Sequence, residues 1–140
     1  MKRYQNVSLV DLPLSPYDII IVSKDELNEE TIIRAQVKKT TKSINFTGGS
    51  RGGVDRIYKS GVKTYIHSPK TADIIIGVHP ITEDSLELYF VPTVFIEILN
   101  QKSISLSKIA ILKNNYFFLE NCKKRKVILR ESKRLGLLKI

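Results

Sequence analysis

Short apolar runs alternate along the chain with polar or glycine-rich stretches, and such runs bounded by turn residues predict β-strands. The run from Tyr17 to Val22 is β-branched and almost entirely apolar, as is typical of a strand buried on both faces. From Thr31 to Lys38 apolar and polar residues alternate, so Arg34, Gln36 and Lys38 share one face. The charged segment between these two runs predicts the turn of a β-hairpin.

Other apolar runs predict the rest of a sheet, with strands expected at Val7–Val10, Ile74–Val78 and Leu86–Val91. With the hairpin, the sheet would have about four or five strands. The chain, residues 1–140, is long enough to bury a core of its own. We therefore expect one α/β domain with a central mixed sheet flanked by helices.

Helical spacing of apolar residues begins after Pro92, which suits the first turn of a helix. It predicts a short helix from Thr93 to about Gln101. A second helix is predicted from a cap at Ser105 or Ser107 through Cys122.

The segment from 40 to 61 is rich in Thr, Ser, Gly and Lys, which predicts a mobile loop, with the two strands of a β-hairpin as the alternative. A loop of this length is usually functional or disordered. Aromatic residues, Phe46, Tyr58 and Tyr65, are interleaved with its cations, a pattern suited to following a nucleic-acid backbone. The DNA contacts expected in and just after this loop are Lys42, Arg51, Arg56, Lys59 and Lys63.

The charge balance favours a polyanionic partner, because 23 Lys and Arg residues against 14 Asp and Glu give a net charge of +9. The overall positive charge has a second explanation, because AT-rich genomes encode many Lys residues. The run Lys123–Lys126 is either part of a DNA-binding surface or a solvated helix end. The single cysteine excludes an intrachain disulfide. No apolar stretch is long enough to span a membrane, so we expect a soluble intracellular, cytoplasmic protein.

Pro16-Tyr17-Asp18 on one strand, with Gln36-Val37-Lys38 on its hairpin partner, resembles the signature of the PD-(D/E)xK nucleases. In that superfamily an Asp on one strand faces an acidic-x-Lys triplet on the next. Here Gln36 replaces the usual Asp or Glu, a variant similar to that of small intron-associated homing endonucleases and some restriction enzymes. The resemblance covers residues 7 to 92 and implies a restriction-endonuclease-like fold.

The resemblance also implies Mg²⁺-dependent hydrolysis of double-stranded DNA. Asp18 would give the metal a hard oxygen ligand, with the Val37 backbone carbonyl and Gln36 as further ligands. Lys38 would polarise the attacking water and offset charge in the transition state. Arg34, on the same face, would contact a phosphate.

Cutting both strands generally needs two active sites, so a homodimer or higher homo-oligomer is expected, with the helices between Thr93 and Cys122 as its interface. The competing interpretations are a non-catalytic nucleic-acid-binding module on the same fold and a protein-interaction scaffold. Asp73 is expected to cap or to pair with a basic neighbour, and His67 and His79 to lie at the surface or at strand ends.

Overall fold

The structure is a computed structural model that describes residues 6–9, 15, 17–24, 27–48 and 65–138. Its strands are built from the β-branched and alternating runs of the sequence. In chain order they are β1 (Asn6–Leu9), β2 (Ile19–Lys24), β3 (Glu30–Lys39), β4 (Ser43–Asn45), β5 (Thr47–Gly48), β6 (Tyr65–Ile66), β7 (Ile74–Thr82), β8 (Ser85–Pro92) and β9 (Ser103–Ser105).

Within the described residues, five strands form the central sheet in the order β1-β2-β3-β7-β8. All neighbours are antiparallel except β3 and β7, which are parallel, so the sheet is mixed. Helices flank this sheet, which confirms the expected α/β class. The predicted hairpin is confirmed as β2 and β3, with Ile21 opposite Ile33.

Odd-numbered residues in the middle of the hairpin pack into the core. Ile21, Ile33 and Ala35 are each less than 5% exposed, as is Ile74 on the neighbouring strand. Fully burying a side chain of this size stabilises the fold by about 1.5–3 kcal/mol. Because the side chains of a strand alternate, burial of this set directs Gln36 and Lys38 to the opposite face.

The second half of the chain contains helix α1 (Thr93–Leu99), a 3₁₀ segment (Leu106–Leu112), α2 (Tyr116–Glu120) and α3 (Arg125–Arg134). Helix α1 confirms the first helix predicted from the sequence, and it ends at Asn100 in the left-handed conformation. None of the helices in the described ranges is long and apolar enough to cross a bilayer.

The prediction of one helix from Ser105 to Cys122 is wrong. Ser105 belongs to β9, Ile109 has non-helical backbone angles, and Asn114 has φ of 52°. The Asn114 amide donates to the Leu88 carbonyl at 2.6 Å, so contact with β8 stabilises the break. A left-handed residue cannot continue an α-helix, and the segment divides there.

The prediction of a loop from residue 40 is wrong for its first part. Ile44 and Phe46 are fully buried, so Phe46 is not an aromatic group available to DNA. Strand β4 pairs with β9, and β5 pairs with β6, so β4 and β5 do not form a hairpin with each other. Residues 49–64 lie outside the described residues.

Gly77 allows the segment after β3 to lie on the sheet. The Thr40 amide donates to the Val78 carbonyl at 2.9 Å, which holds the chain against β7. A Cβ atom on Gly77 would lie 2.6 Å from Cδ1 of the buried Ile44 side chain. Only glycine permits this approach without displacing Ile44.

Replacing Gly77 with valine is therefore expected to lower the free energy of unfolding by about 1–3 kcal/mol, because an overpacked core must displace its neighbours. Urea denaturation measures this change, with Thr31→Val at an exposed position of β3 as a control that shifts stability by less than about 0.5 kcal/mol. A Gly77→Val protein as stable as the native chain would contradict the close packing of β4 on β7.

Candidate active site

Asp18 and the Gln36-Val37 dipeptide meet where β2 begins. The Asp18 amide donates to the Ala35 carbonyl at 2.9 Å, which places the residue beside β3. Its Oδ2 atom accepts hydrogen bonds from Gln36 Nε2 at 2.8 Å and from the Val37 amide at 3.0 Å. The structure thus brings together Asp18, Gln36 and Val37, and the Asp18 side chain is exposed to solvent.

The Val37 carbonyl lies on the same edge of β3 as the Asp18 carboxylate. The two backbone polar groups of a strand residue point to the same side, and the Val37 amide faces Asp18. Among the described residues, β2 pairs with β3 only as far as Ile19 and Ala35, so no strand pairs with this edge at Val37. A carboxylate and a carbonyl oxygen therefore lie along the same strand edge.

The Asp18 carboxylate and the Val37 carbonyl could hold a hard divalent cation only together with further oxygen ligands, such as water or phosphate. Among the described residues, no group of three or more His, Cys, Asp and Glu side chains could hold a metal. Mg²⁺ usually keeps several waters and binds through one or two carboxylates plus substrate phosphates. Asp18, the Val37 carbonyl and the Gln36 amide oxygen suit a weak site that a phosphate would complete.

Lys38 follows on the same face and is half-buried against β5. Its Nζ atom donates a hydrogen bond to the Thr47 carbonyl. Burial lowers the pKa of Lys38, while the charge of Asp18 opposes that shift. The ammonium group is therefore fixed to the backbone of β5 and lies within the electrostatic reach of Asp18.

His67 is a residue of this region that the sequence analysis placed at the surface or at a strand end. It is 1% exposed, its Nδ1 atom lies 2.9 Å from Thr71 Oγ1, and its ring meets Tyr65 edge-on at 5.3 Å. Burial, with a smaller contribution from Lys38 and against the effect of Asp18, lowers the pKa of His67 to about 4. His67 directly follows β6, so the expected strand-end position is confirmed, and the alternative of a surface position is wrong. The imidazole is neutral near pH 7.

No local sequence signal links His67 to Lys38. The two approach each other because β6 pairs with β5, a contact between segments that are far apart in the chain. Gly48 contributes as well, since a Cβ atom there would lie 2.8 Å from His67 Nε2.

Arg34, which shares a face of β3 with Gln36 and Lys38 by strand alternation, is bound to Asp73 and Pro69 of the protein itself. Its guanidinium donates to Asp73 Oδ1 at 3.0 Å, to Asp73 Oδ2 at 3.2 Å and to the Pro69 carbonyl at 2.7 Å. It also lies 5.7 Å from the centre of the Tyr17 ring, and the hydrogen bonds to Asp73 raise the pKa of Arg34. The expected pairing of Asp73 with a basic neighbour is confirmed, and a phosphate contact by Arg34 stays a prediction.

Of the other cations predicted to bind DNA, only Lys42 is among the described residues. Lys42 is exposed, and its carbonyl accepts a hydrogen bond from the Leu106 amide at 2.9 Å. The others lie outside the described residues; they are Arg51, Arg56, Lys59 and Lys63.

The depressed pKa of His67 predicts a stability that falls in mild acid. The groups facing the imidazole are Lys38, Asp18, Tyr65 and Thr71. Between pH 6.5 and about 4 the unfolded chain binds a proton that the folded chain excludes, so this contribution to stability is complete above pH 6.5 and is lost as the pH falls to about 4. The loss approaches roughly 1.4 kcal/mol for each unit of the shift.

Urea denaturation at several pH values in this range measures the effect, and His67→Gln is expected to remove this part of the pH dependence. The control His79→Gln retains it, because His67 is still present. An unchanged pH dependence in His67→Gln would contradict the assignment to this residue.

The chain matches no protein-family model and no curated protein. Among solved structures it is similar to a bacterial homing endonuclease, I-Ssp6803I, with 15% sequence identity and a TM-score of 0.46. The match covers 72% of this chain and 63% of that chain, so this chain spans less than two thirds of the length of the solved protein.

Proposed function

We propose that the chain is a Mg²⁺-dependent endonuclease that hydrolyses phosphodiester bonds in double-stranded DNA, in the Gln-x-Lys variant of the PD-(D/E)xK superfamily. The observation that carries the proposal is the contact of the Asp18 carboxylate with Gln36 and Val37, next to the half-buried Lys38. Three groups with different chemistry, an anion, a neutral oxygen donor and a cation, lie close together on β3 and beside it. This combination suits metal-assisted hydrolysis of a phosphodiester.

The metal ligands would be the Asp18 carboxylate, the Val37 carbonyl and the Gln36 amide oxygen. Within the described residues, the contacts of Asp18 involve Oδ2, so Oδ1 is available to a cation. The Gln36 amide would rotate to present its oxygen. When bound, Mg²⁺ supplies positive charge that stabilises the phosphate as its own negative charge increases.

Lys38 would act on the water and on the phosphate. Its ammonium group would hold the attacking water in line with phosphorus and offset negative charge in the transition state. Burial lowers its pKa, which brings proton exchange at Nζ closer to neutral pH. Asp18 opposes this effect of burial and favours the cationic form.

Plasmid cleavage in the presence of Mg²⁺ tests this proposal with two adjacent lysines. Lys38→Met is expected to reduce the cleavage rate by about 10²-fold or more, since it removes a preorganised charge near the phosphate. Lys39→Met is the matched control, because Lys39 is exposed, lies on the opposite face of β3 and should leave the rate unchanged.

A second variant, Asp18→Asn, is expected to weaken the response to Mg²⁺. Cleavage by Lys38→Met at the native rate would overturn the assigned mechanism. A native chain that binds DNA and does not cleave it would instead be a non-catalytic binding module, the alternative that the neutral Gln36 favours. A chain that neither cleaves nor binds DNA in a salt-dependent way would favour a protein-interaction scaffold.

Helix α3 and the residues before it would provide a surface for the DNA backbone. Positive charge near a helix N-terminus is unfavourable to the helix dipole, and no acidic residue in the first turn of α3 offsets it. Helix stability therefore does not account for the cations at this end of α3, whereas Lys133 and Arg134 lie in the last turn, where positive charge is favourable to the dipole. The exposed basic residues are Lys123, Lys124, Arg125, Lys126, Arg130, Lys133 and Arg134.

Replacing Lys124 and Lys126 together with alanine should reduce the salt dependence of DNA binding. Each lost phosphate contact lowers the slope of log K against log salt concentration by about 0.9. Fluorescence anisotropy with a DNA duplex measures the slope. Lys113→Ala is the control that should keep the native slope, because Lys113 forms an ion pair with Glu87 at 3.1 Å. A native slope in the double variant would exclude this end of α3 from the DNA-binding surface.

Cleavage of both strands would use a homodimer or higher homo-oligomer. The segment from Thr93 to Cys122 supports this part of the proposal, because it exposes large apolar side chains outside the core. Ile98 is 37% exposed, Ile111 46% and Phe117 40%.

A further inference from the structure

His67 contacts the three-residue segment Phe46–Gly48 at both of its ends. At one end, the His67 amide donates to the Phe46 carbonyl at 2.8 Å. At the other, the imidazole lies so close to Gly48 that a Cβ atom would be 2.8 Å from Nε2. One residue therefore fixes both flanks of Thr47.

The Thr47 carbonyl, between these two contacts, accepts the hydrogen bond from Lys38 Nζ. Thr47 is also fixed through its own amide, which donates to Asn45 Oδ1 at 2.8 Å. The position of the Lys38 ammonium group is thus set by a carbonyl that has little freedom to move.

The imidazole is itself fixed from the far side. Nδ1 lies 2.9 Å from Thr71 Oγ1, and the Thr71 hydroxyl also accepts a hydrogen bond from the Ser68 amide at 3.1 Å. The Tyr65 ring covers an edge of the imidazole at an interplanar angle of 77°. Polar groups and aromatic packing together leave the ring one orientation, with Nε2 towards Gly48.

We propose that His67 is a positioning residue for Lys38, which it holds through the backbone of Phe46–Gly48. The imidazole acts by filling the space against Gly48, and it does not touch the DNA because it is 1% exposed. A role of the Lys38 position in catalysis rests on the proposed nuclease function. The contact between Lys38 and Thr47 exists independently of that function.

The test follows the ammonium hydrogens of Lys38 by ¹⁵N NMR, in the protein without DNA. A hydrogen bond to a carbonyl slows the exchange of these hydrogens with water, and Lys38→Met identifies the signal. In His67→Asn the ring is lost, Thr47 is free to shift, and the exchange rate of Lys38 should rise about tenfold or more, the factor expected when a hydrogen bond to a charged group is lost. His67→Phe retains the ring against Gly48 and should keep the rate near the native value.

Native exchange in a folded His67→Asn protein would overturn the proposal, as would an equally fast exchange in His67→Asn and His67→Phe. If His67→Asn does not fold, Gly48→Ala takes its place, because its Cβ atom would lie 2.8 Å from His67 Nε2 and must displace the segment Phe46–Gly48 from the ring. It should raise the exchange rate of Lys38, and a native rate in that variant would overturn the proposal.

DNA cleavage separates this inference from the nuclease proposal. His67→Asn should lower kcat about tenfold and leave KM nearly unchanged, since a misplaced lysine affects the chemical step and not the binding of DNA. If the native chain cleaves DNA and Lys38 exchange is unaffected by His67→Asn, the positioning role alone fails. If the native chain does not cleave DNA, the nuclease proposal fails, and the ammonium exchange still decides whether His67 holds Lys38.

Discussion

The candidate site depends on where the pairing of β2 with β3 stops. Among the described residues, no strand pairs with β3 on this side beyond Ile19 and Ala35. The Asp18 carboxylate accepts the hydrogen bond of the Val37 amide there, as a neighbouring strand would have done. One side chain therefore continues the pairing of β3 past the end of β2 and brings an anion to this edge, while Gln36 and Lys38 share one face of β3 by strand alternation.

The two sides of β3 are held by different forces. On the β7 side, Arg34 and Asp73 form an ion pair with several hydrogen bonds, and Asp73 is 7% exposed. Asp73 is nearly buried and Arg34 is partly exposed, and their ion pair and hydrogen bonds hold β3 against the start of β7. On the β2 side, the Asp18 carboxylate is exposed and the Lys38 ammonium group is bound to the Thr47 carbonyl. The ion pair is thus the more buried of the two arrangements.

The five strands of the central sheet and the cluster of Asp18, Gln36 and Lys38 could be predicted because they follow from local patterns: β-branched runs, alternation and a hairpin turn. The break at Asn114 could not, since it depends on a hydrogen bond to Leu88 from a distant strand. The burial of Ile44 and Phe46 could not be predicted either, because their polar neighbours in the sequence are typical of a loop. Their burial depends on the pairing of β4 with β9, which is distant in the sequence. His67 was missed for the same reason.

The pairing of β5 with β6 has a consequence for how a protein of this kind could diversify. The two strands fix the chain on either side of residues 49–64, at Gly48 and Tyr65. Lengthening a connection between fixed ends costs only about 0.6 kcal/mol for each doubling. Insertions and substitutions between these strands could therefore accumulate during evolution while Lys38 keeps its position. The pairing of β5 with β6 would thus separate changes in the sequence between Gly48 and Tyr65 from changes at Lys38.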